Sequence, residues 1–344
     1  MNSTNVGVIG VGRIGRMHTE NLVHAVPGAK VRAVASPRLD MAWAEALGIP
    51  VRATDVDVVL GDPEIEAVVI TASSGVHVEL IQRAAAAGKH IFCEKPVAFD
   101  PLRIEQAHAA AAAAGVKLQV GFNRRFDPGV VAMWQAVQDG QVGEVHHVRV
   151  TNRDPQAPPI AFVKRSGGLF FDFAIHDFDT VRFLSGSEIV ELFAAGAVLV
   201  DPEIGKAGDI DTAVITARLA SGALAVIDCS RQTNYGYDQR FEVFGSKGSV
   251  VVDNTTPTTI VSSSAAGVVA DKPHATFVER YKEAFIAELS AFVACVRNDV
   301  PVRVGAPDAL AAVRAAVAAK ASHETKRPVR LSEEVQPVGG GARR

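Results

Sequence analysis

A chain of 344 residues is too long for one small hydrophobic core and suits two domains of ordinary size. Apolar residues make up 48% and charged residues 21%, and a net charge of -3 offers no broad attraction to nucleic acid or an anionic membrane, so the expected partner is a small molecule. Apolar stretches are strand-length or broken by charge, no basic segment and apolar signal core open the chain, and Cys93, Cys229 and Cys295 are too few and too scattered for a disulfide framework or a paired-cysteine zinc site; a cytoplasmic protein is expected.

The chain opens with an apolar run over residues 6–9, then Gly10-Val11-Gly12-Arg13-Ile14-Gly15, then a segment of helical character over 16–22. Strand, glycine turn and helix in this order aim backbone N–H groups at a site suited to a pyrophosphate, so the first domain is expected to bind a dinucleotide. Gly10 permits the tight turn, Gly12 the approach of the diphosphate, and Gly15 the close packing of helix on strand. Apolar runs at 31–35, 56–60, 67–71 and 90–93 then recur, with helix-compatible stretches such as 41–47 and 76–87 between several of them, the alternation of a doubly wound parallel sheet. An alanine-rich helix over 104–114, stopped by Gly115, and a strand over 117–121 complete this domain.

Beyond Asn123 the pattern changes. Residues 144–151, 189–200, 213–219, 223–230, 240–245 and 249–252 are strand-like, with tight turns at 220–222 and 246–248, which suggests an antiparallel or mixed sheet. Helices are expected over 172–184, 278–298 and 306–324. The division is therefore a dinucleotide-binding domain over 1–122, a substrate-binding and oligomerisation domain over 123–334, and a mobile tail over 335–344.

An acidic residue usually ends the second strand of such a domain, where it accepts hydrogen bonds from the adenosine ribose. Here that place holds Ser36, followed by Pro37 and Arg38. Loss of the carboxylate removes repulsion of a 2′-phosphate and Arg38 supplies attraction, so NADP(H) is favoured over NAD(H). The alternative is that Arg38 is a solvated loop residue and Asp40 takes the ribose role. Arg13 does not decide the matter.

Two further elements carry candidate chemistry. Glu94-Lys95-Pro96 follows the strand over 90–93 at the sheet edge that faces a ligand, where Lys95 can reach the nicotinamide end of the cofactor; a plain surface lysine is the alternative. Asp172 and His176 are four apart, a spacing that stacks both on one helical face, and a carboxylate beside an imidazole orients it and favours its protonated form. A capping aspartate beside a packed histidine is the bland alternative. Zinc held by His176, Asp172 and Asp177 is the weaker reading, because a third ligand at fixed geometry is missing, and no metal is expected.

Taken together, the glycine fingerprint, Glu94-Lys95-Pro96 and Asp172-x-x-x-His176 resemble the Gfo/Idh/MocA oxidoreductase family. Residues 121–128, 153–155, 175–179 and 235–240 are similar to its inositol 2-dehydrogenase branch. The resemblance covers nearly the whole chain. It implies an N-terminal Rossmann domain and a C-terminal α+β domain with a large open, mostly antiparallel sheet that supports a homotetramer. It further implies oxidation of a secondary ring hydroxyl of a cyclic polyol, myo-inositol to 2-keto-inositol first; a pyranose dehydrogenase and an NAD-dependent glycoside hydrolase are the alternatives. By resemblance Lys95 orients the reacting hydroxyl, Asp172 holds the polyol and His176 is the general base, while Asn123, Asp154 and Tyr235 border the polyol. Gly10, Gly12, Arg13, Ile14, Gly15, Ser36, Arg38, Thr71, His77, Glu94 and Lys95 fall on the cofactor side, although helix capping or packing also accounts for Thr71 and His77.

Overall fold

A computed structural model describes residues 3–331; the tail expected over 335–344 lies outside the described residues. Strands β1 (Thr4–Ile9), β2 (Ala29–Ala35), β3 (Val51–Ala53), β4 (Ala67–Ile70), β5 (His90–Glu94) and β6 (Leu118–Gly121) form a parallel sheet in the order β3-β2-β1-β4-β5-β6. Helices α1 (Arg13–His24), α2 (Met41–Ala46), α3 (Asp57–Leu60), α4 (His77–Ala86) and α5 (Pro101–Ala113) connect its strands. Every residue of β4 is buried, as a strand covered on both faces requires, and this explains its unbroken Ala-Val-Val-Ile run. The strand order reverses between β1 and β4, so the loops after these two strands diverge and leave a crevice at the carboxyl edge of the sheet.

The run over 56–60 is the helical turn α3 and not the strand expected; the third strand is β3 instead. A five-residue apolar run has no period long enough to separate strand from helix. The Asp55 carboxylate accepts the Asp57 N–H at 2.9 Å and starts the turn, and Val59 then packs over Gly7, where a Cβ would come within 2.4 Å of Val59 Cγ1.

The chain continues through α6 (Pro128–Gln138), β7 (Val145–Arg153), α7 (Ile160–Val163), α8 (Leu169–Asp172), α9 (Ile175–Ser185), β8 (Ile189–Ala197), α10 (Pro202–Lys206), β9 (Thr212–Leu219), β10 (Leu224–Ser230), β11 (Asp238–Gly245), β12 (Gly248–Val252), β13 (Val261–Ser264) and β14 (Gly267–Ala270). It closes with α11 (Phe277–Arg280), α12 (Lys282–Asn298), α13 (Ala306–Thr325) and β15 (Val329–Arg330). A seven-stranded sheet runs β12-β11-β7-β10-β9-β8-β15, with only the β7–β10 pair parallel. No helix among the described residues is long and apolar enough to cross a membrane.

The two compact units are not the contiguous blocks that the sequence suggested. The first comprises the chain up to Phe126 together with Glu283–Val313; the second comprises Asp127–Lys282 and the segment from Arg314. Asn123 therefore belongs to the first unit. Helix α12, expected in the second domain, returns to the first: Leu289, Phe292 and Val293 share a core with Val6, Val8, Leu22 and Phe92. Their spacing makes one apolar stripe, which has to be covered, and the face of the sheet beside β1 and β5 covers it. Removing the Phe292 ring should thus cost the dinucleotide-binding unit about 3–5 kcal/mol. Chemical denaturation of Phe292→Ala, followed by nucleotide binding, checks this; an unchanged midpoint would contradict the shared core.

Candidate active site

The glycine turn behaves as its spacing predicts. Gly10 has φ +91, and a Cβ there would lie 2.5 Å from the Ala72 backbone. At Gly15 a Cβ would lie 2.0 Å from the Gly10 carbonyl oxygen, so only glycine lets α1 sit this close to the turn. Gly12 differs: a Cβ would meet nothing within 4 Å. The protein itself makes no demand for glycine there, which fits a position kept small for a ligand at the N-terminus of α1. The Thr71 hydroxyl donates to the Gly10 carbonyl and so locks the turn to the end of β4. Arg13 is exposed and Ile14 half-buried beside it.

Ser36 directly follows β2, and Arg38 is exposed two residues on. The alternative ribose ligand, Asp40, is already engaged: it caps α2 by accepting the Trp43 N–H at 3.1 Å and pairs with Arg16 at 3.0 Å. These two contacts, in that order, hold its carboxyl below the ordinary range.

At the end of β5, Lys95 is half-buried and joined to Pro96 by a cis peptide bond. His77 is buried beneath this turn, with Nδ1 2.9 Å from the Pro96 carbonyl and Nε2 2.9 Å from the Ala72 carbonyl. Both ring nitrogens thus pack the loop through backbone carbonyls; burial pushes its pKa down. Glu94 likewise points inward: one oxygen lies 2.7 Å from His18 Nε2, and the other accepts the Lys95 N–H at 3.1 Å.

In the second unit, Asp172 and His176 do not share one continuous helix. The Ala174 N–H reaches back five residues to Leu169 O, and Asp172 ends α8 before His176 enters α9. The Asp172 carboxylate is held by Arg231 at 3.3 Å. Arg231 follows β10, is 1% exposed and also faces Asp209 at 3.5 Å. Asp209 accepts the Leu169 N–H at 3.0 Å, and a Cβ at Gly168 would lie 2.7 Å from its carboxylate, so Gly168 is needed for this approach. Asp177 turns into the sheet, where it accepts from Asn152 Nδ2 at 2.8 Å and lies 3.5 Å from Cys229 Sγ. Asp172 and Asp177 thus serve separate partners, which removes the geometric basis for zinc between them.

Because β7 and β10 are parallel with Arg153 opposite Ser230, Asp154 and Arg231 leave the same sheet edge. Asp238, opposite Arg153 on β11, accepts the Tyr235 hydroxyl at 2.6 Å, while Tyr235 Oη accepts from Arg153 at 3.1 Å. Asp154, Asp172 and Tyr235 are thereby gathered around one end of the second sheet, and Asp177 ties the start of α9, with His176, to β7 at that end. Lys95 and Asn123 belong to the first unit, where Asn123 is buried just after β6. Sequence reasoning does not reach Arg231 or Asp209; for Arg231 the available signal is a charge immediately after an alternating strand, and for Asp209 there is none.

Residues 4–122 match a model for an oxidoreductase family with an NAD-binding Rossmann fold, and residues 130–251 match its GFO/IDH/MocA C-terminal domain. The chain belongs to the GFO/IDH/MocA oxidoreductase family. It is 43% identical to myo-inositol 2-dehydrogenase of Thermotoga maritima, over 96% of this chain and 99% of that one. It is 42% identical to inositol 2-dehydrogenase of Rhizobium meliloti, over 95% and 98%. The crystal structure of scyllo-inositol dehydrogenase from Lactobacillus casei with bound NAD(H) and scyllo-inositol superposes with a TM-score of 0.90 at 31% identity, covering 96% of this chain and 99% of that one.

Gly12 and Gly15 should separate ligand from structure. Gly15→Ala is expected to destabilise the fold by several kcal/mol, whereas Gly12→Ala should leave stability within about 0.5 kcal/mol and weaken dinucleotide binding. Thermal melts and nucleotide titration of both variants check this; unchanged binding by Gly12→Ala would remove the reason given for that glycine.

Proposed function

We propose that the protein is an NAD(P)-dependent dehydrogenase that oxidises a secondary ring hydroxyl of a cyclic polyol, myo-inositol first, to the ketone. The observation that carries this reading is the full-length similarity to inositol dehydrogenases, together with a second unit that holds Asp172 and His176 at one end of its sheet. Gly10, Gly12 and Gly15 with the start of α1 would hold the diphosphate, and Ser36 with Arg38 the adenosine ribose. Nicotinamide, when bound, supplies the two-electron acceptor for the carbinol carbon. The protein's own residues handle the proton. His176 takes it from the hydroxyl, Lys95 stabilises the oxygen through a charge-assisted hydrogen bond, and Asp172, fixed by Arg231, accepts a neighbouring hydroxyl of the ring. Asn123, Asp154 and Tyr235 serve as further polyol contacts.

Ser36 in place of an acid, the exposed Arg38 and the engagement of Asp40 elsewhere favour NADP(H). Three buried free thiols suit the cytoplasm. Val214, Leu224, Phe244 and Val251 are exposed on the second sheet, and we infer that a homotetramer covers them. Light scattering should return a mass four times the chain mass; a monodisperse monomer would contradict it.

The catalytic reading is tested by an assay of inositols and pyranoses with each nucleotide. Sustained growth of reduced-nicotinamide absorbance with myo-inositol is expected, with greater efficiency for NADP, and Arg38→Ala should reverse that preference. Lys95→Ala and His176→Ala should each lower kcat on the order of 10²–10⁴-fold while nucleotide binding persists. Wild-type rates in both variants would remove their assigned roles.

A further inference from the structure

Behind Lys95 lies a buried group of ionisable side chains that the chemistry above does not use. His18 from α1, Glu94 from β5 and Glu288 from α12 offer ligand atoms within 4.8 Å of one another. Glu288 is 0% exposed, and neither of its carboxyl oxygens has a hydrogen-bond partner. A lone carboxylate in such a place would be costly, so a proton has to neutralise it or a cation has to sit beside it. The surroundings favour the proton. Phe92 and Phe285 set their rings edge-on to His18 at 5.5 and 5.7 Å, which leaves an apolar wall and one imidazole already bonded to Glu94.

We propose that Glu288 is a neutral carboxylic acid which packs with His18 against the Glu94 carboxylate, sparing it a second charge, and so keeps Lys95 in position. The inference rests on the dehydrogenase reading for the role of Lys95, but the buried acid stands on geometry alone. Glu94 is the link, because its second oxygen holds the Lys95 N–H. Its freedom to move is small: β6 runs alongside with Gly121 opposite Glu94, and a Cβ at Gly121 would lie 3.1 Å from the carboxylate. Gln119 of the same strand donates to the Glu288 carbonyl at 2.8 Å and fastens α12 over the cluster. Among the described residues, Glu94 and His18 are the ionisable groups clustered with Glu288, and Lys95 follows Glu94 directly. Burial, and then the Glu94 charge, push the Glu288 carboxyl well above the ordinary range. Raising the pH through that elevated value sets a second negative charge beside Glu94, which loosens the packing.

Two arms of one experiment test this. Glu288→Gln keeps a neutral polar group of the same shape, and Glu288→Leu removes it. By linkage, a group whose folded pKa is raised contributes stability that is lost as pH rises, so Glu288→Gln should gain stability over wild type progressively as pH rises above the ordinary carboxyl range toward the elevated folded value. A flat difference, or one divalent cation per chain in elemental analysis of the purified protein, overturns the protonated acid. In the kinetic arm, Glu288→Gln should keep kcat within about twofold and move the alkaline limb of its pH profile upward, whereas Glu288→Leu should lose about 10- to 100-fold in kcat with little change in polyol KM. Equal losses in both variants, or none in either, overturn the positioning role. A wild-type protein that oxidises no polyol defeats the dehydrogenase reading instead, and the stability arm, which needs no substrate, still decides the acid.

Discussion

Arg231 carries its guanidinium into the second unit almost out of contact with water, and a charge placed there has to be met by opposite charge. Asp172 and Asp209 meet it from two different segments, at 3.3 and 3.5 Å. The arrangement orders much of what surrounds it. Asp209 in turn holds the first N–H of α8, Gly168 is required where the chain passes that carboxylate, and Asp172 is left at the end of a four-residue helix with one side committed to a cation. A carboxylate so restrained is oriented before any ligand arrives, which is how binding avoids much of the entropic cost of ordering it.

A parallel polar construction anchors the neighbouring helix. Asp177 is buried, accepts from Asn152 and neighbours Cys229, while Gln239 bonds to Asn152 and accepts the Tyr281 hydroxyl at 3.3 Å. Fully partnered networks of this sort rigidify a core, and here the network lies one residue from His176. The first unit uses glycine rather than charge at its own ligand edge. Close contact between α1 and the Gly10 carbonyl leaves the start of the helix open to a diphosphate, and the hydroxyl of Thr71 keeps the turn in place.

Several features were legible from residues alone. The glycine turn, the strand leading to Lys95, the change from parallel to mostly antiparallel pairing and the position of Ser36 after the second strand all follow from short-range pattern, because each depends on neighbours within one or two turns of chain. The run over 56–60 is ambiguous for the converse reason: five residues show no period, and the Asp55 carboxylate, which accepts the Asp57 N–H, tips it toward a turn. Of His77 the sequence shows only a histidine in the loop after the fourth strand; that two backbone carbonyls lie against its ring nitrogens is a fact of the tertiary structure. Asp172 and His176 were placed on one helical face because the spacing is right, but a single N–H that reaches back five residues breaks the ladder between them.

Sequence by itself determined the class of the protein: a nucleotide fold marked by glycines, a second sheet marked by alternation, and candidate acid–base residues of the right types. Only the tertiary structure decided which side chains hold which. Helix α12 joins a core formed by strands about two hundred to nearly three hundred residues earlier, and Arg231, Asp209 and Glu288 acquire their meaning from partners far away in the chain. Charge pairing and burial act through space at a few ångströms, and such distances between remote segments leave no periodic trace in the order of residues.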